Sequence, residues 1–80
     1  MENLNSDLEK SRVFRYSKSR LKLLGPTSLE EESEKIKSRF MSISLIKSSE
    51  YDALFFDLQK QNDWDDISTM AYFDSVLMFE

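Results

Sequence analysis

Three aspartates late in the chain have the spacing of calcium ligands. Asp63, Asp65 and Asp74 occupy relative positions one, three and twelve of a calcium-binding loop. Position five would be Ile67, where an oxygen ligand is required, and position six would be Ser68, where the sharp turn requires glycine. The two mismatches argue against a calcium site, and we expect these carboxylates to have structural roles.

The adjacent carboxylates Asp65 and Asp66 raise the possibility of general acid and general base catalysis. Neighbouring side chains on a helix point about 100° apart, so the two carboxylates would not face one reacting atom. Acids in this arrangement ordinarily cap the start of a helix or interact favourably with its dipole. We interpret the pair as the beginning of a helix.

The sequence contains no cysteine and no histidine. Their absence excludes disulfides, thiolate or imidazole metal ligands, and nucleophiles that depend on a cysteine or on a histidine base. A single glycine also excludes the glycine-rich loops that hold phosphates. We therefore expect no catalytic residue, no metal and no cofactor, and a protein that is not an enzyme.

Charge and aromatic residues are divided unevenly between the two halves of this acidic chain, whose net charge is −4. Residues 41–80 hold seven of the ten aromatic residues and eight of the fifteen acids, but two of the eleven lysines and arginines. Residues 9–24 hold six basic residues and one acid. In so short a chain, this division predicts surfaces that contact other molecules.

The pair Gly25-Pro26 is the strongest boundary signal, because glycine readily ends a helix and proline prevents the preceding residue from continuing one. It predicts a basic arm at 1–26, flexible until it binds a partner, and a compact helical domain at 27–80. Scarce glycine and proline favour helices over sheet. The expected fold is mainly α, a small domain of three to four helices with a basic N-terminal arm.

Three helices are predicted after residue 27. The first begins at Thr27 or Ser28, the second near Ser48, and the third at Asn62 or Asp63. Apolar residues recur at helical spacing in each of them: Leu29, Ile36, Phe40 and Ile43, then Tyr51, Leu54, Phe55 and Leu58, then Ile67, Met70, Phe73 and Leu77.

Two segments also fit short strands. Met41, Ile43 and Leu45 alternate with serines, which is a period of two, and residues 71–79 combine high β-propensity with apolar residues on every side of a helix. The alternative fold is therefore α+β, with one or two short strands near 41–46 and 71–79.

Four apolar side chains are the expected contact patch. Phe56 projects more than about 100° away from the apolar stripe of its helix. With Tyr72, Met78 and Phe79 it would form exposed apolar surface, which on a small monomer generally marks a contact site. We predict that these four residues bind a partner.

A short pattern in the basic segment adds two further candidate residues. The run Arg15-Tyr16-Ser17-Lys18-Ser19-Arg20-Leu21 resembles the Tyr-x-x-x-x-Leu-apolar helix by which translational repressors dock on the cap-binding translation initiation factor. The resemblance implies that Tyr16 and Leu21 contact that factor on one side of a helix formed on binding. Lys22 departs from the pattern, which has an apolar residue there.

The basic segment also raises the possibility of nucleic-acid binding, since six cations and two aromatic residues lie within sixteen residues. On a helix, however, these cations are expected to scatter around the circumference. The net charge of −4 also opposes binding to polyanions. A nucleic-acid-binding helical module is therefore the alternative, as is the translational regulator acting through Tyr16 and Leu21.

The function expected from the sequence is that of a small regulatory protein, an inhibitor or adaptor. It would bind a larger protein partner through the apolar patch and the basic arm, and a homodimer through the same patch is the nearest variant. The chain starts without the basic-then-apolar order of a secretory signal and has no apolar run long enough for a membrane span. These features predict an intracellular protein, in the cytoplasm or nucleus, without a membrane partner.

Overall fold

The computed structural model describes residues 8–79, which form helices joined by short turns. A helical turn at 8–10 precedes four longer helices, α1 (Arg12–Lys22), α2 (Pro26–Ser44), α3 (Ser48–Asn62) and α4 (Asp66–Leu77). The protein is a compact all-α domain, so the mainly helical fold predicted from the sequence is confirmed.

Local interactions explain where the helices begin. The hydroxyl oxygen of Ser11 accepts a hydrogen bond from the backbone N–H of Phe14 at 3.4 Å at the start of α1. Gly25 precedes α2, and Pro26 occupies its first turn, where a missing N–H has no cost. Asp65 caps α4 by accepting from the N–H of Ser68 at 2.8 Å. The starts of α1, α2 and α4 are therefore set by residues at or next to the boundary.

The predicted starts differ from the observed ones by a few residues. Helix α2 begins before Thr27 and Ser28, because Pro26 has a φ suited to the first turn and no N–H that needs a partner there; its N-cap is Gly25, without a side-chain cap. Asn62 is instead the last residue of α3, and Asp63 follows it in the left-handed conformation, with φ 54°. The cap of α4 is Asp65.

Helix α4 lies at the centre of the domain and contacts each of the other three helices. Eight of its twelve residues are buried. A helix that is apolar on all sides is stable when it is covered on all sides, which explains why apolar residues surround its axis. The buried apolar core consists of Phe14, Leu21, Ile36, Tyr51, Trp64, Met70, Ala71, Phe73 and Leu77.

The alternative with strands is wrong for residues 8–79. The segment 71–79 is helical to Leu77 and ends in a turn, and 41–46 is helical to Ser44. The alternating pattern there reflects exposure at the end of a helix, because Ile43 and Leu45 point to solvent and Met41 is half-buried. Leu45 ends α2 with φ 57°, in the left-handed conformation.

The basic segment is not a separate arm. Helix α1 makes its most extensive packing with α4, and its side chains Phe14 and Leu21 are part of the core. The expected division into an arm at 1–26 and an independent body at 27–80 is therefore corrected from residue 8 onward. Residues 1–7 of that arm lie outside the described residues.

Aromatic contacts connect the core from α1 to α3. The ring centroid of Phe14 lies 5.3 Å from that of Trp64, which lies 6.0 Å from Tyr72. The ring of Tyr72 in turn packs edge-on against Phe73 at 5.6 Å, and Phe73 lies 4.8 Å from Tyr51. Such pairs stabilise by about 0.5 to 1.5 kcal/mol each beyond their burial. The core therefore ties the N-terminal helix to the rest of the fold.

Candidate protein-binding surface

An open groove of about 410 Å³ lies between the beginning of α1 and the second half of α4. Its walls combine half-buried apolar side chains with one ring that is largely exposed. The residues that line it are Leu8, Ser11, Phe14, Tyr72, Ser75, Val76 and Phe79.

The polar side chains of the groove are already hydrogen-bonded within the protein. Ser11 accepts from the backbone of Phe14, and the hydroxyl of Ser75 donates to the carbonyl oxygen of Tyr72 at 2.7 Å. The hydroxyl of Ser75 has therefore already donated its only proton, whereas that of Ser11 acts as an acceptor. Apolar groups of another molecule could fill the groove without breaking either hydrogen bond.

Phe79 is the most exposed ring at this groove, with 78% of its surface accessible. It lies two residues after Leu77, the last residue of α4, in a turn where its N–H donates to the carbonyl oxygen of Val76 at 3.3 Å. Tyr72 is half-buried, because its ring packs on Phe73 and Trp64 while one side faces the groove. The structure thus brings Tyr72 and Phe79 to one surface.

The two other members of the predicted apolar patch lie elsewhere. Phe56 is 57% exposed and lines a different depression, between α2 and α3, where the ammonium of Lys60 lies 5.0 Å from the centre of its ring. Met78 is half-exposed, and its sulfur accepts a hydrogen bond from the buried hydroxyl of Ser17 at 3.6 Å. The expectation of one patch is corrected, because the packing of α3 on α2 turns Phe56 toward another groove.

The pair predicted to dock on a translation initiation factor does not share an accessible face. Tyr16 is 58% exposed, whereas Leu21 is 0% exposed and belongs to the core beside α4. The two residues are five apart, which separates them by about 140° around a helix. A partner could contact both side chains only if α1 left the domain.

Four basic residues of α1 share one side of the helix. Arg12, Arg15, Lys18 and Lys22 are three, three and four residues apart, which places them within an arc of about 120°. The first two and the last are exposed, and Lys18 is half-buried. The predicted scatter of cations around the helix is therefore wrong for these four residues.

Arg20 is the basic residue of α1 that turns toward the domain. Its guanidinium lies 2.8 Å from the carboxylate of Asp74 in α4 and 3.2 Å from that of Glu32 in α2. The hydrogen bond to Asp74 raises the pKa of Arg20 above its ordinary value. This triad joins three helices and explains how an acid in the apolar helix α4 is tolerated where it is almost fully buried.

Sequence reasoning missed both the groove and the basic face. A shared basic face is indicated by the spacing of Arg12, Arg15, Lys18 and Lys22. Two further cations obscure this pattern in the sequence: Arg20 pairs with a carboxylate of the domain, and Lys10 precedes the helix. No comparable signal existed for the groove, because Leu8 and Val76 come from distant parts of the chain.

Acidic side chains of the described residues do not assemble a metal site. Asp65 caps α4 and Asp74 pairs with Arg20, and residues 8–79 contain no group of three or more ligating side chains that could hold a metal ion. The backbone hydrogen bond from Ser68 lowers the pKa of Asp65, and the charges of Lys18 and Lys22 lower it further.

No helix within residues 8–79 is long and apolar enough to cross a bilayer.

The candidate surface therefore combines an apolar groove, the exposed ring of Phe79 beside it and the basic face of α1, in a chain with a net charge of −4. No protein-family model matches the sequence, and comparisons with curated proteins and with solved structures found no significant match.

Proposed function

We propose that the protein is a non-enzymatic regulatory protein, an adaptor or inhibitor, that binds a larger protein. The groove holding Tyr72, Val76 and Phe79 would take apolar side chains of that partner, and helix α1 would supply a basic surface. The observation that carries the proposal is Phe79, whose ring is 78% exposed beside a groove with internally bonded hydroxyls.

Burial of Phe79 would contribute much of the affinity. Removing such a ring from water stabilises a complex by about 1.5 to 3 kcal/mol. Aromatic residues seated in a desolvated pocket commonly dominate the binding energy of an interface. The half-buried Tyr72 and Val76 would add contact area on the same groove.

The charge distribution would guide the encounter. Residues 9–24 carry a net charge of +5 and residues 41–80 carry −6, from counts of six basic and one acidic residue and of two basic and eight acidic residues. Complementary potentials raise association rates and exclude wrong orientations more than they raise affinity. A partner with the opposite charge pattern would therefore meet the groove in one orientation.

The test compares two exposed phenylalanines on different surfaces. Affinity capture from the source cell uses the wild type, Phe79→Ser and Phe56→Ser, and the captured protein is then purified and titrated against all three by calorimetry. We expect Phe79→Ser to weaken binding at least about tenfold, which corresponds to about 1.4 kcal/mol, and Phe56→Ser to have little effect.

Circular dichroism of both variants verifies that the helices remain. Loss of binding in Phe56→Ser with unchanged binding in Phe79→Ser would move the contact to the depression between α2 and α3. Equal affinity in all three proteins would refute an aromatic contact site. Light scattering of the purified protein gives its mass in solution and so distinguishes a homodimer from binding to a different partner. If the groove holds a second copy of the chain, the wild type should be a dimer without any added protein and Phe79→Ser a monomer.

A further inference from the structure

The solvent-facing side of α1 is basic and unpaired within the described residues. Arg12, Arg15, Lys18 and Lys22 form no ion pair with any residue of 8–79, whereas Arg20, on the other flank of the helix, bonds two carboxylates. A chain with a net charge of −4 thus presents four cations within an arc of about 120°. This face has the charge to bind an anionic group on another molecule.

Exposed apolar side chains lie along the same side of the helix. Tyr16 is 58% exposed and Leu23, which follows α1, is 87% exposed. They lie about 40° and 20° beyond Arg12, on the side away from Lys18, so the charged and apolar side chains together span about 160°. The face therefore offers carbon surface beside its charges, and tyrosine and arginine are both enriched in the binding surfaces of proteins.

The basic face is short and is bordered by acids. Ten residues separate Arg12 from Lys22, which is about 15 Å along a helix. Asp65 and Asp66 at the start of α4 are both exposed, and the charges of Lys18 and Lys22 act on Asp65 without an ion pair. An extended polyanion such as a nucleic acid would run past the roughly 15 Å of cations and meet both acids, whereas a short anionic segment would meet at most Asp65, at the end of the face that holds Lys18 and Lys22.

A partner helix has the matching repeat. Acids three or four residues apart on a helix are separated by about 4.5 to 6 Å along its axis, as are the cations of α1. An apolar side chain on the same helix could then cover Tyr16 or Leu23. Charge complementarity, length and exposed carbon surface all favour this occupant.

We propose that the exposed face of α1 binds a short acidic amphipathic helix of the partner protein. This inference rests on the proposed function, since it assigns the chemistry of the partner at the basic surface. The carboxylates of that helix would pair with Arg12, Arg15, Lys18 and Lys22, and its apolar residue would contact Tyr16 or Leu23.

The test uses a fluorescently labelled synthetic peptide in which glutamates recur every three or four residues around leucines. Its binding to the full chain is followed by anisotropy. The charge-reversed variant Arg12→Glu/Arg15→Glu is compared with Lys35→Glu/Arg39→Glu, which makes the same change in net charge at exposed positions of α2. We expect the α1 variant to lose at least about tenfold in affinity and the α2 variant less than about twofold.

Salt and competing anions complete the design. Binding of the wild type should weaken from about 50 to about 300 mM salt, because exposed charges are screened. An equal loss in both charge-reversed variants would overturn the proposal, since it would show attraction to overall charge. Tighter binding of single-stranded or duplex DNA, or of phosphatidylserine vesicles, would overturn it in favour of that ligand.

The outcome is separable from that of the groove. Phe79→Ser should bind the acidic peptide as the wild type does, because Phe79 lies outside the basic face. Failure of the peptide with preserved Phe79-dependent capture would overturn this inference alone. Peptide binding that depends on Arg12 and Arg15, without Phe79-dependent capture, would support the basic site and refute the groove.

Discussion

Replacement of Leu21 by alanine tests whether α1 is an integral part of the domain. Leu21 is 0% exposed and packs in the core formed around α4. Truncating a buried leucine to alanine costs about 2 to 5 kcal/mol, because apolar contacts are lost and a cavity remains. A domain of this size is stable by roughly 4 to 12 kcal/mol, so the loss would be a large fraction of the total.

The matched control is Leu23→Ala, two residues away in the chain. Leu23 is 87% exposed, so its truncation should change the free energy of unfolding by less than about 0.5 kcal/mol. Thermal and urea unfolding are followed by circular dichroism for both variants. Each kcal/mol shifts the midpoint by about 4 to 8 °C at this size, so Leu21→Ala should melt at least about 8 °C lower than the wild type.

Equal melting temperatures for the two variants would refute the reasoning. They would mean that α1 is detached from the domain in solution and that the side chain of Leu21 is not packed in the core. The urea slope gives a second check, because an integral α1 adds to the surface exposed on unfolding, and deletion of residues 1–24 should then reduce the slope along with the stability.

Four further predictions concern the stability of the fold, and each tests one side chain by substitution. Burial, with the nearby carboxylates of Asp52 and Glu34, raises the pKa of Tyr51 to about 12, above an unfolded value of 10.0. The neutral phenol is therefore favoured in the folded state. Its contribution to the free energy of unfolding should be complete below pH 10 and lost as the pH rises to about 12. In unfolding curves measured at alkaline pH, Tyr51→Phe should not show this loss of stability. The pKa of Asp65 is lowered from 3.8, so its contribution to stability is present above that pH and is lost in acid. Urea unfolding at neutral pH should show that Asp65→Ala lowers the free energy of unfolding by about 1 kcal/mol, and Asp65→Asn by less. Asp74→Ala should destabilise the fold by about 1 to 3 kcal/mol, because it removes the closer of the two carboxylates that bind Arg20. A double-mutant cycle with Arg20→Met should show strong coupling between the two residues, and additive effects on the free energy of unfolding would contradict the ion pair. Leu45→Gly should raise the melting temperature, because glycine adopts the left-handed conformation at φ 57° without the cost that leucine has there, of about 1 kcal/mol.

Periodicity was sufficient to predict the helices after residue 27. The start near Ser48 and the buried positions Met70, Phe73 and Leu77 follow from regular apolar spacing in a chain with almost no glycine or proline. Spacing does not decide burial at every position, because Ile43 of α2 and Leu54 of α3 belong to predicted apolar stripes and are both exposed.

The integration of α1 was hidden by its composition. Its buried stripe consists of Phe14, Ser17 and Leu21, so a serine interrupts the apolar period at the centre. The packing of α1 on α4 buries that serine, and its hydroxyl is satisfied there by donating to the sulfur of Met78, a partner 61 residues away. A contact across such a distance has no signature in the local sequence.

The division of the exposed aromatic residues was likewise a matter of tertiary packing. The helical position of Phe56 correctly predicts exposure, since the ring is 57% accessible, but not which neighbouring helix borders it. The groove at Phe79 depends on Leu8, which reaches it from the opposite end of the described chain. Spacing within a helix therefore predicts exposure, whereas the shape of a surface needs the fold.

The left-handed turn after α2 has a practical consequence for all of these experiments. Leu45 is 89% exposed and lines neither the groove nor the basic face of α1. A glycine at this position would give a more stable parent protein in which the groove and the basic face proposed as binding surfaces are unchanged. Interface variants built on that parent could tolerate a modest loss of stability without unfolding, so a failure to bind could be assigned to the missing contact.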